Sequence, residues 1–392
     1  MKHLKILPAL CFFILLLGEV KGQQQAVTTI PFEVVHGSIV LKVNINDHPR
    51  PLRLLFDTGA DGMAVDRSLA DSIGLKVTKS HEASVVGGSM KIDVSHGNTV
   101  TLENGFQLKN QGIAIFPQMS KDLDGIIGNS MTLRYVVKVD FNRYQLSLYE
   151  FEGYSYEKGG TVVPVTIPQG LFIIPAHVEV VAGKSYAGNF VFDTGAAYNA
   201  ICFRPFVRQH KLLVSGFVPE YQASTTSMGI SSPTFNGKAH SFSFSNTPAI
   251  GNMPVTLMAG GGQNESWNPG FDGSIGMGII SRYNFTINRK KNEIYIVPNH
   301  AYAYPLNFVL GAYLLCFNLQ GQLEVQSTIR ALADGEMALP NGTLISSING
   351  MTARSLLKEA KMLESLKNLP AQTSIRVEYL NDSKKETITF KK

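Results

Sequence analysis

Leu54-Leu55-Phe56-Asp57-Thr58-Gly59-Ala60 and Phe190-Val191-Phe192-Asp193-Thr194-Gly195-Ala196 are the two stretches on which the reading of this chain turns. Each is an apolar run that ends in Asp-Thr-Gly-Ala. A carboxylate set directly after three apolar residues is costly to bury unless something uses it. Two of them in like surroundings suggest one shared site, where two acids divide one proton between them.

The likeness extends outward from the acids. Asp124-Gly125-Ile126-Ile127-Gly128-Asn129 follows the first and Asp272-Gly273-Ser274-Ile275-Gly276-Met277 the second. Arg134-Tyr135 then matches Arg282-Tyr283, and Leu146-Ser147-Leu148 matches Ile294-Tyr295-Ile296. Val137-Lys138-Val139-Asp140 matches Phe285-Thr286-Ile287-Asn288. These pairs share an offset of 148 (272 − 124), whereas the acids are offset by 136 (193 − 57). The second unit therefore carries 12 additional residues (148 − 136), part of them in the glycine-rich stretch Ala259 to Gly270 that holds Trp267. Two unequal halves of one duplicated unit are expected. Ile39 to Ile45, Val178-Glu179-Val180 and Phe242-Ser243-Phe244 alternate apolar and polar side chains, so both halves read as short strands.

The chain has 392 residues, enough for two or three domains. Apolar content of 44% and charged content of 17% exclude a disordered chain. Lys2 and Lys5 precede an apolar run from Ile6 to Leu17, with small residues near Gly22. That order predicts a signal peptide over residues 1–22 and an exported protein, periplasmic or secreted. The run is 12 residues, too short to span a bilayer. Its removal takes the net charge from +5 to +3, since +5 − (3 − 1) = +3. That balance calls for neither nucleic acid nor a membrane as partner. Cys202 and Cys316 remain and are expected as free thiols.

The last ninety or so residues differ. Gly342 to Gly350 reads as a strand closing in an Asn349-Gly350 turn. Thr352 is placed to cap a helix to about Lys367, with Leu356, Leu357, Ala360, Leu363 and Leu366 on one face. Two strands follow, around Ile375 to Tyr379 and Ile388 to Phe390.

Amide hydrolysis needs an activated water, a proton for the leaving nitrogen and exclusion of bulk solvent. Two carboxyls about 3 Å apart cannot both ionise, so one serves as base and the other as acid. Which of Asp57 and Asp193 does which belongs to the pair and stays open at this point. Gly59 and Gly195 let backbone approach the carboxylates closely. Thr58 and Thr194 are placed to bond across the interface between halves. Leu55, Phe56, Val191 and Phe192 wall the acids off from water and tend to raise their pKa values.

On these residues the chain resembles the pepsin and retropepsin families of aspartic proteases. Leu54 to Asp61 looks like the active-site strand of retropepsins. Ile126-Ile127-Gly128 and Ser274-Ile275-Gly276 look like the apolar-apolar-Gly element that supports each catalytic loop, with Ser274 a departure. The resemblance covers roughly residues 30 to 298. It implies a mostly β, bilobal β-barrel fold with the active site between lobes, endopeptidase action on polypeptide substrates, and neither metal nor organic cofactor. The expected domains are residues 23–155, 156–300 and a small α+β domain over 301–392. The families also have flaps, expected here at Gly87, Gly88 and Ser89 and, more weakly, at Gly229. A viral retropepsin must dimerise to complete its dyad; this chain holds both acids and is expected to act as a monomer. Pepsins usually have Ser after the Gly, and both copies here have Ala. The missing hydroxyl predicts a pH optimum less acidic than pepsin's. The tail resembles a PDZ domain on Leu344 to Gly350 and the Leu-rich helix. That implies a peptide C-terminus or strand added to a sheet edge as a ligand.

The nine histidines form no His-Glu-x-x-His spacing, and no Gly-x-Ser-x-Gly elbow occurs, which sets aside zinc and serine hydrolases. Gly260-Gly261-Gly262 lacks the following Lys-Ser/Thr of a phosphate loop and reads as a surface loop. Asn264, Asn284, Asn341 and Asn381 begin Asn-x-Ser/Thr triplets. The alternative of another class is a peptide- or protein-binding module that keeps a peptidase fold without turnover.

Overall fold

Leu52, Leu54 and Phe56 are buried while Arg53 and Leu55 are half-exposed, the period of a strand with one face on a core. The computed structural model describes residues 24–119, 123–260, 265–331, 338–381 and 384–392. The expected signal peptide lies outside them, as do residues 261–264 of the inserted stretch.

Two sheets share one strand order. The first runs Ser38–Ile45, Leu52–Phe56, Gly125–Ile127, Met63–Asp66, Gln107–Phe116, Gly88–Leu102, Lys79–Val85, with Glu33–Val35 added outside Ser38–Ile45. The second runs Ile173–Val181, Lys184–Phe192, Gly273–Ile275, Ala200–Cys202, Ile250–Met258, Ile230–Phe244, Pro219–Ser227. In each, the short support strand lies parallel to the strand that ends in the acid. Leu54, Leu55 and Phe56 pair with Gly125, Ile126 and Ile127; Phe190, Val191 and Phe192 pair with Gly273, Ser274 and Ile275. Each sheet also closes on itself, Val43–Ile45 against Val100–Leu102 and Ala176–Glu179 against Ser241–Phe244. Closure makes a barrel-like shell around an apolar interior, with the hairpin strands Lys79–Val85 and Pro219–Ser227 left at the ends of their sheets.

A third sheet joins the two. Its order is Thr28–Pro31, Gln145–Tyr149, Val136–Asp140, Tyr283–Asn288, Glu293–Pro298, Thr161–Pro164. The central pairing, Val137 with Ile287 and Val139 with Phe285, crosses from one half to the other. One apolar core then runs through both halves, including Phe56, Phe141, Phe192 and Phe285. Asn284 belongs to this seam: it is buried, accepts from Phe141 N–H at 2.8 Å and donates to Asp140 at 3.1 Å. A glycan there is excluded by burial.

The tail has its own sheet and its own core, with Phe308, Leu315, Val325, Ile345, Leu356, Leu363 and Phe390. Asn349 and Gly350 turn with φ of 49° and 79°. Thr352 caps as expected, accepting from Ser355 N–H at 3.1 Å. The single helix expected as far as Lys367 is instead two, Ala353–Lys358 and Ala360–Lys367, broken at Glu359 (φ −113°, ψ 89°). The first lies against Leu344–Ile348 and the second against Phe308–Leu310. Burying Leu356 on one part of the sheet and Leu363 and Leu366 on another overrides the local period, and Ala360 is left exposed.

The tail is docked rather than tethered. Arg282 donates to Tyr302 O (3.1 Å), Tyr304 O (2.5 Å) and Pro305 O (3.0 Å) of the connecting segment. Asn199 donates to Asn307 (2.9 Å), Asn307 to Gln326 (2.8 Å), and Gln326 to Ala197 O (3.2 Å). Cys202 and Cys316 are free thiols, the first buried and the second partly so.

Candidate active site

Both acids stand where a strand ends, and the support strand sets their height. Asp57 N–H donates to Ile127 O at 3.1 Å and Asp193 N–H to Ile275 O at 2.9 Å. Gly128 N–H donates to Gly62 O at 3.1 Å and Gly276 N–H to Asn199 O at 2.8 Å, which ties down the far side of each loop.

Between acid and glycine, the threonines cross the interface. Thr58 N–H donates to Thr194 Oγ1 at 2.9 Å, and Thr194 N–H to Thr58 Oγ1 at 3.0 Å. Each hydroxyl in turn donates to a backbone carbonyl, Thr58 to Phe192 O at 2.5 Å and Thr194 to Phe56 O at 2.7 Å. Both side chains are fully buried, so these four bonds face no competition from water.

The glycines then bring each loop against the opposite acid. Gly59 N–H donates to Asp57 Oδ1 at 2.8 Å and Gly195 N–H to Asp193 Oδ1 at 3.0 Å. A Cβ on Gly59 would lie 2.6 Å from Asp193 Oδ1, and one on Gly195 only 2.3 Å from Asp57 Cγ. No other residue allows that approach. The two carboxyls thus meet in one cleft. Burial pushes the pair above the usual carboxylate range, and the charge of one acid beside the other adds to it.

Ile127 and Ile275 are buried in the core behind the loops, and Ile126 sits in an apolar cluster with Ala64, Ile92, Val94 and Phe116. Ser274, at the position matching Ile126, is buried too, and its hydroxyl lies 2.6 Å from that of Tyr198. Ser274 and Tyr198 line the cleft together with Asp193. Tyr198 escapes the sequence reading; the available signal was a polar residue at an apolar position of the support element.

Two hairpins roof the site. Lys79–Val85 turns at Val86-Gly87 into the strand that begins Gly88-Ser89; Pro219–Ser227 turns at Met228-Gly229. Gly87, Met228 and Gly229 have φ of 91°, 47° and 84°. The tips cross. Val86 packs on Ile201, Phe203 and Met258 of the second unit, and Met228 on Ile92, Val94 and Phe116 of the first. Beneath them lies a cleft of about 810 Å³ that contains both acids. Its first-unit wall is largely aliphatic (Ala64, Ile92, Val94, Ile126), and its second-unit wall is aromatic (Tyr198, Phe203, Trp267, Phe271). Among the described residues, no group of three or more His, Cys, Asp or Glu is placed to hold a metal.

Residues 41–131 match a family model described as aspartyl protease. The match spans Asp57, its support strand and Asn129, and leaves the second unit outside. No curated protein sequence matches the chain. Among solved structures, an aspartic proteinase from Irpex lacteus is similar at 13% identity and a TM-score of 0.47, covering 70% of this chain and 97% of that one.

Proposed function

We propose that the protein is an aspartic endopeptidase in which Asp57 and Asp193 share one proton and activate water against a peptide bond. The observation that carries this reading is the meeting of two carboxyls in one cleft, each held by its own loop N–H and each crowded by the glycine of the opposite loop. The aspartyl protease match over residues 41–131 supports it from the first unit. Water enters between the acids and the bound chain. Its oxygen attacks the carbonyl carbon, one proton passes to the ionised carboxylate, and the protonated partner gives its proton to the carbonyl oxygen. The resulting diol collapses as the nitrogen takes a proton and leaves. The crossed hairpins exclude bulk water.

An extended polypeptide in this cleft would lay side chains against an aliphatic wall on one side and an aromatic wall on the other. Truncating Trp267 to Ala should lower kcat/KM at least about tenfold for substrates with an aromatic residue on that side, relative to aliphatic ones. Profiling with a peptide library reads this directly, and an unchanged preference rejects the wall assignment.

The strand order repeated in the two sheets favours descent from one duplicated unit, with both acids in one chain and activity without dimerisation. Export through residues 1–22 and a PDZ-like role for the tail belong to the same proposal. The test is turnover of unfolded polypeptides between about pH 3 and pH 7, beside Asp57→Asn and Asp193→Asn. Each variant should lose at least about 10³-fold in kcat. Equal cleavage by all three proteins sinks the mechanism. No cleavage by the wild type favours the binding-module reading.

A further inference from the structure

The two acid-bearing loops are held by different means. In the first unit Asn129 is fully buried, and its amide donates to Thr58 O at 2.9 Å and to Gly170 O at 3.0 Å. That one side chain ties the turn after Asp57 to the start of the second unit. Met277 stands at the matching position of the second unit (129 + 148 = 277), is buried in the core and has no donor to give. A brace for the second loop comes instead from the tail. Gln326 donates to Ala197 O at 3.2 Å and accepts from Asn307 at 2.8 Å, and Asn307 accepts from Asn199 at 2.9 Å. These side chains close a ring on the loop just past Asp193. Asn307 and Gln326 each use both a donor and an acceptor in it, so losing either one opens the ring.

The loop is thin at this point. Ala197 lines the cleft that holds both acids, and also a cavity of about 160 Å³ on its other side, between the tail and the second unit. The matching first-unit residues are Asp61 and Met63 (197 − 136 = 61; 199 − 136 = 63), the one exposed and the other buried in the core. The matched arginines diverge in the same way. Arg134 is exposed, whereas Arg282 donates to Gly278 O at 3.0 Å and to three carbonyls of the segment just ahead of Asn307. The second unit is thus built to receive the tail where the first is not.

We propose that Asn307 and Gln326 are positioning residues for the reaction: the tail completes the mounting of the Asp193 loop, and turnover depends on how the tail is seated. The proposal rests on the peptidase reading and goes beyond it by giving the tail a part in catalysis. Neither residue touches the reacting atoms. Both act through Ala197 and Asn199, whose stretch of backbone is stitched to the support loop. Met277 N–H donates to Ala196 O at 2.8 Å, Gly278 N–H to Tyr198 O at 3.1 Å and Gly276 N–H to Asn199 O at 2.8 Å. Opening the ring releases the outer side of this loop and lets Asp193 drift against Asp57. The dyad then loses alignment while most of the cleft wall that binds substrate stays in place.

Gln326 is half-buried, so its truncation leaves the core intact. In Gln326→Ala kcat should fall about tenfold with KM within about twofold of wild type. Asn307→Ala should do the same, and the double variant should lose no more than the worse single, because one ring is opened once. Gln320→Ala removes a tail bond of the same kind, to the Tyr144 hydroxyl at 2.7 Å, that touches neither loop. It should keep wild-type kcat. Equal losses in Gln320→Ala and Gln326→Ala overturn the proposal, because general loosening of the tail would produce them. An unchanged kcat in the ring variants overturns it too, as do losses that multiply in the double variant. If Asn307→Ala does not fold, Gln326→Ala beside Gln320→Ala decides alone. Hydrogen exchange reads the loop without turnover: residues 193–199 should exchange faster in Gln326→Ala, and residues 57–63 as in wild type. An inactive wild type would defeat the peptidase reading, whereas unmoved exchange at 193–199 would defeat this one.

Discussion

Gly195→Ala is expected to abolish measurable turnover while leaving the protein folded. The added methyl would sit 2.3 Å from Asp57 Cγ and 2.5 Å from both carboxylate oxygens, so the carboxyl itself must move. Displacing a reacting group by about 1 Å costs on the order of 10²-fold, and here the displaced group is one of the two acids. A loss of about 10³-fold in kcat is the expected result. Gly59→Ala should act likewise through Asp193 Oδ1, at 2.6 Å. Gly251→Ala, at an exposed position near the start of Ile250–Met258 where a Cβ would meet only His240 O at 3.9 Å, is the control and should retain wild-type kcat. Full activity in Gly195→Ala would mean that the loop and the acid do not meet in solution as described.

The largest effect on stability is expected from Thr58→Val. Valine keeps the shape and removes the hydroxyl, so no cavity complicates the result. Phe192 O loses its donor and Thr194 N–H loses its acceptor, both buried between the halves. At about 1–3 kcal/mol for each unsatisfied group, the loss should be about 2–6 kcal/mol. Against a typical total of about 5–15 kcal/mol that is a large fraction. Thr194→Val removes the mirror pair at Phe56 O and Thr58 N–H and should cost a similar amount. Urea titration reads it as a lower midpoint at unchanged slope. A loss below about 0.5 kcal/mol would show that water or a shifted loop satisfies those groups.

Much of the site can be read before any folding because its parts are local and occur twice. Asp57, Thr58 and Gly59 have counterparts at an offset of 136 and the support residues Ile126 to Gly128 at 148, and repetition raises a common tripeptide above chance. The hairpin tips, though not their crossing, have a local signal in glycine at a short turn. Other features have no such signal. Tyr198 meets Ser274 across 76 residues, and the match to the first unit fails at both positions. Asn307 and Gln326 brace Ala197 and Asn199 from the tail, a contact with no counterpart in the first unit. The helix break at Glu359 answers to the sheet beneath it rather than to the leucine spacing.

Strand period, turn chemistry and the pairing of two acids are therefore properties of the chain as written, since each depends on neighbours a few residues away or on an exact repeat. The Ser274–Tyr198 contact behind one acid, the crossing of the hairpin tips and the docking of the tail are not. They arise where side chains far apart in the chain compete for one buried volume, and only closure of the two barrels brings those side chains together.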